Sequence, residues 1–139
     1  MAQAHKAMSK GFFKKSDPLS AYSYYNKAAG CYKSTSSFQN EAYMRISAAD
    51  CSMQTESYNS AATDYKLAAQ CFGSLDEYKE ACSSYRKSAT AAAAGNDMGR
   101  CGEMLVLGAQ ELARGGLEGE AGLKFEEAVR VFVPDDFNK

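Results

Sequence analysis

A residue pattern returns every twenty positions along this chain. Ala21, Tyr25, Ala28, Ala29 and Tyr32 form one copy, and Ala61, Tyr65, Ala68, Ala69 and Phe72 repeat it forty residues later with identical spacing. Looser copies stand around them: Ala42, Ile46, Ala49, Met53; Ala81, Tyr85, Ala89, Ala92; Cys101, Leu105, Gly108, Leu112; and Ala121, Phe125, Ala128, Phe132. Offsets of 4, 7 and 11 lie on one face of an α-helix. A fixed long period means stacked supersecondary units rather than one closed globule. The pattern therefore predicts an all-α array, and it narrows function to surface recognition.

Local signals divide the chain into one domain, 1–139, of about seven helices. Residues 2–10 read as a short basic helix that Gly11 breaks, and 11–16 as a loop with Phe12 and Phe13 followed by Lys14 and Lys15. Asp17 followed by Pro18 starts a helix, because Asp accepts free N–H groups and Pro suits the first turn. Further helices are predicted at about 37–54, 57–73, 76–94, 97–114 and 117–133, with a tail at 134–139. Ser36 with Gln39, and Ser74 with Glu77, have capping-box spacing; Gly73 reads as a C-terminal cap. Turns of two to four residues force antiparallel neighbours, so 17–133 makes three hairpins of about forty residues.

The second half is less well specified. Gly99, Gly102, Gly108, Gly119 and Gly122 fall inside helical pattern, each costing about 1 kcal/mol relative to Ala. Either they permit close packing or neighbours hold these helices. Val129, Val131, Phe132 and Val133 cover more than one face of the last helix, as if another helix followed, and they predict self-association.

Charge is near balance, with 16 basic and 17 acidic residues, so there is no bulk nucleic-acid signal. It is unevenly spread: residues 1–33 carry a net +5 and residues 34–139 a net −6. A basic end on an acidic body orients a protein toward an anionic surface. Cys31, Cys51 and Cys71 share one phase of the repeat; with Cys82 and Cys101 they read as small buried residues in a reducing compartment. No metal site or other cofactor is implied, since His5 is the lone histidine. The same shortage leaves no Ser/His/Asp set, and no phosphate loop occurs, so the chain does not read as an enzyme. No apolar run is long enough to span a membrane.

A forty-residue hairpin is longer than the roughly 34 residues of a tetratricopeptide repeat, although its small and aromatic placing is similar. The period and the N-terminal loop resemble the soluble NSF attachment proteins (SNAPs), closer to the gamma type than to alpha. The resemblance is carried by Gly11, Phe12, Phe13, Lys14 and Lys15, by the stretch from Ala21 through Tyr25, Ala28, Ala29 and Tyr32 to Lys33, and by Met98, Gly99 and Arg100. It covers about residues 5–133, the N-terminal half of such proteins. It implies a tetratricopeptide-like, right-handed superhelical array that lines the SNARE four-helix bundle and links it to the NSF ATPase. The protein would be cytoplasmic and peripheral on the cytosolic face of ER, Golgi or vesicle membranes. The NSF-contacting tail of the family lies outside the resemblance.

The same resemblance places an apolar membrane-touching loop at Phe12 and Phe13. Beside Lys14 and Lys15, two exposed aromatics combine apolar insertion with attraction to anionic lipid. The competing role is a staple that holds the first helix on the array. SNARE bundles are acidic, so the family's docking face is basic; Lys33 and Arg100 match such positions by local alignment, with Lys66, Lys79, Arg86 and Lys87 as further candidates. Ser36 and the Gly73, Ser74 pair stand where alpha members place lysines, which suits other SNARE partners. The alternative is a peptide-binding co-chaperone or scaffold module. A tight groove at Lys33, Lys66 and Arg100 favours peptide capture, and a flat exposed edge favours the adaptor.

Overall fold

The computed structural model describes residues 17–132, in which six α-helices follow one another with no strand between them. They are α1 (Pro18–Ser34), α2 (Phe38–Gln54), α3 (Tyr58–Ser74), α4 (Tyr78–Ala94), α5 (Met98–Arg114) and α6 (Glu118–Phe132). The predicted helix at 2–10, the loop at 11–16 and the tail at 134–139 lie outside the described residues. Each of the first five helices has 17 residues and each turn three, so the sequence period is also the structural period.

One turn geometry closes every hairpin. Ser36, Glu56, Asp76, Asn96 and Gly116 all have positive φ, between 57° and 80°. At each turn the next N–H reaches back to the helix, as Ser37 N does to Tyr32 O (2.9 Å) and Leu117 N to Leu112 O (2.9 Å). This is a Schellman ending, which satisfies the last carbonyls. It corrects the capping boxes expected from sequence. Ser36 is the left-handed residue of the turn, and Ser74 belongs to α3, where its hydroxyl bonds Gln70 O (3.1 Å). Gly73 is likewise helical, and the ending falls at Leu75 and Asp76. Asp17 and Asp97 do cap, accepting from Ser20 N and Arg100 N at 3.0 Å.

A left-handed residue with a side chain costs about 1 kcal/mol or more. Glu56→Gly is therefore expected to raise stability by about 1 kcal/mol, and Gly116→Ala to lower it by a similar amount, in thermal denaturation. Equal melting of both variants and the wild type would refute the turn assignment.

Each helix packs chiefly on the one before and the one after. Numbering every helix from its own repeat start, positions 1, 4, 8 and 11 face the preceding helix and 2, 5, 9 and 12 the following one. Ala68 and Cys71 of α3 thus meet Ala42 of α2, while Phe72 meets Ala81 of α4. Alanines fill both faces and are fully buried at 48, 49, 61, 62, 68 and 69, which lets the axes approach closely. Ser88, between them, donates to Ala62 O at 2.7 Å. The register is antiparallel and constant: Tyr58 lies against Gly95, and Tyr78 against Gly115, where a methyl group would run into the ring.

Two of the interior glycines are explained by close approach. A side chain at Gly102 would collide with Phe132, and one at Gly108 would press on Cys82 and Tyr85. Gly119 and Gly122 have open space around them. Arginines tie alternate helices together: Arg100 donates to Thr63 Oγ1 (2.9 Å), Arg114 to Gly73 O (2.9 Å), and Arg86 pairs with Glu127.

Candidate functional site

Lys33, Lys66 and Arg100 fall in two places. Arg100, at the start of α5, is half-buried and bonds Thr63 on α3. Thr63 and Lys66 lie three residues apart, on neighbouring turns of one α3 face. Lys66 in turn lines an open cavity of about 280 Å³ with Glu103, Leu107 and Phe132. The α3–α5 seam therefore holds Lys66 and Arg100 together. Lys33 is exposed near the end of α1, where its charge is felt by Cys71 of α3. The three do not converge on one groove. Phe12, Phe13, Lys14 and Lys15 lie outside the described residues.

Two further basic candidates, Arg86 and Lys87, line a larger cavity of about 360 Å³ with Met53 and Tyr65. The Lys87 ammonium sits 6.0 Å from the Tyr65 ring centre, within cation–π range. The Tyr65 hydroxyl donates to Asp50, and burial together with that carboxylate pushes its pKa up, so Tyr65 stays neutral. Lys79 lines a separate depression with Arg86 and Glu120.

Sequence reasoning missed a buried polar cluster between α2 and α3. The repeat phase places Glu41 and Arg45 where other copies have Ala and Tyr, and Asp64 where Met44 and Met104 stand. Glu41 and Arg45 form an ion pair at 3.2 Å with both side chains largely buried. Asp64 is 5 % exposed, and its Oδ2 lacks a hydrogen-bond partner. Burial raises the Asp64 pKa to about 6, with the Arg45 charge opposing the rise. The legible signal was polarity at strict phase positions. Reading the α2 copy as Ala42, Ile46, Ala49 and Met53 shifted it by one residue and hid that signal.

The cysteines divide. Cys51, Cys71, Cys82 and Cys101 are buried, and burial pushes the Cys51 and Cys71 thiols up to about 11 and 12, away from reactivity. Cys31 is exposed, contrary to expectation. Among the described residues no group of three metal-ligating side chains occurs, and no helix is long and apolar enough to cross a membrane.

Fold and surface together define an all-α protein of repeat-like packed helices. No protein-family model, characterised protein or solved structure matches the chain.

Proposed function

We propose that this chain is an adaptor of the soluble NSF attachment type, a right-handed superhelical array that binds SNARE complexes and serves their disassembly by NSF in vesicle traffic. The observation that carries the reading is the hairpin itself: 17-residue helices on a forty-residue period, longer than a tetratricopeptide unit. The basic pair Lys66 and Arg100 on one seam, with exposed Lys33 beyond it, suits a long acidic bundle better than a single pocket. In this reading the loop at Phe12 and Phe13, with Lys14 and Lys15, holds the adaptor on the cytosolic face of the membrane. The adaptor performs no covalent chemistry.

Charge reversal tests the docking face. Lys33→Glu combined with Arg100→Glu is expected to weaken binding to an assembled SNARE bundle about tenfold and to flatten its salt dependence. Unchanged affinity across salt removes both residues from the face.

The cavity at Met53, Tyr65, Arg86 and Lys87 favours a second reading, a peptide-binding co-chaperone module. Lys87 beside the apolar faces of Met53 and Tyr65 suits a C-terminal carboxylate, with Arg86 paired to Glu127 at the same cavity. That reading requires a peptide with a free C-terminus to bind and its amidated form not to.

A further inference from the structure

The outer side of α4 carries a basic furrow, apart from the seam that holds Lys66 and Arg100. Lys79, Ser83, Arg86, Lys87 and Thr90 recur at offsets that share one side of a helix, and all are exposed. Two cavities open along that stripe. The first, about 360 Å³, lies toward α2, where Met53 and Tyr65 face Ser83, Arg86, Lys87 and Thr90. The second, about 230 Å³, lies toward α6, with Lys79 beside Cys82 and Leu112. Ser83 and Arg86 line both cavities, so the two meet.

The cations of the furrow are not equivalent. Glu127 holds Arg86 and Lys124, and Glu120 lines the second cavity. Lys79 and Lys87 form no ion pair with a described residue. The floor near Lys87 is apolar and fixed: Met53 is half-buried, and Tyr65 is buried with its hydroxyl donated to Asp50.

Spacing selects the conformation of an occupant. Lys79 and Lys87 lie about 12 Å apart along the α4 axis, at a rise of about 1.5 Å per residue. Four residues of extended chain span about 13 Å, whereas four of helix span about 6 Å. Every second side chain of an extended strand shares a face. Acidic, apolar and acidic residues at alternate positions therefore set carboxylates on Lys79 and Lys87 and an apolar side chain on the Met53 and Tyr65 floor.

We propose that this furrow binds an extended acidic peptide of that pattern, on a surface independent of the SNARE-docking seam. Both anions are side chains, so no free C-terminus is required.

The probe is a seven-residue peptide, dye-labelled at its N-terminus and amidated at its C-terminus. It has glutamate second and sixth, leucine fourth and serine elsewhere. Fluorescence anisotropy is expected to show saturable binding that weakens with salt. Lys79→Met and Lys87→Met, with helicity checked by circular dichroism, should each weaken it about fivefold, the upper scale for one exposed ion pair. A peptide of the same composition with its glutamates fifth and sixth cannot reach both lysines, and should bind wild type about fivefold more weakly. No binding, equal affinity for the two peptides, or affinity unchanged in both variants overturns the inference. Binding only by a peptide with a free C-terminal carboxylate also overturns it, and assigns the first cavity to a chain terminus.

Discussion

Arg45→Ala is expected to lower stability by about 3 kcal/mol in urea denaturation, with the slope unchanged. Its side chain is 13 % exposed and pairs with Glu41, whose side chain is 6 % exposed. Removing the cation leaves Glu41 and Asp64 buried without an opposing charge, which costs far more than the pair contributes. The repeat supplies the control. Glu41→Ala, Arg45→Tyr and Asp64→Met together install the residues that other copies use at these phases. The triple variant is expected to be at least as stable as wild type, because well-packed apolar groups replace buried ions at little or no cost. A single Arg45→Ala loss below about 1 kcal/mol would show that the cluster is solvated rather than buried.

Asp64→Asn is expected to stabilise the protein at neutral pH. The folded-state pKa of Asp64 is raised to about 6 from an ordinary 3.8, so folding favours the protonated form. Its contribution is therefore a penalty, absent below about 3.8, growing as pH rises, and complete above about 6. A shift of that size corresponds to about 3 kcal/mol at most. Solvent screening and the unpaired amide of Asn reduce the expected gain to about 1–2 kcal/mol at pH above 7. Glu41, Arg45, Cys71 and Lys33 share the neighbourhood, so stability is measured from pH 4 to 8 for both proteins. The two curves should converge at the acid end. A constant offset across that range would mean that Asp64 is ionised throughout.

Helix positions were legible because punctuation and periodicity agreed. Asp17 before Pro18 marks the first start, Gly115 with Gly116 marks a stop, and every other boundary follows from the twenty-residue period. Turn chemistry was not legible. Ser36 and Glu56 adopt a backbone region that nothing in their side chains announces, while Gly73 suggests an ending that the chain does not use. The packing of the array, not local preference, sets those turns. In the candidate site, the basic residues could be named from sequence, but their grouping could not. Arg100 reaches the α3 face that carries Lys66 only because α3 and α5 are alternate helices within arginine reach. The Glu41, Arg45 and Asp64 cluster was hidden for a different reason. Three polar residues at apolar phases look like a loosened copy of the repeat until the period is held strictly.

The adaptor reading is tested most directly by titrating the purified chain into an assembled SNARE four-helix bundle, with the separate SNARE strands and a free C-terminal peptide as comparisons. Saturable, salt-sensitive binding to the bundle, and none to the isolated strands or the peptide, is the predicted result. Binding to the peptide with no affinity for the bundle would contradict it.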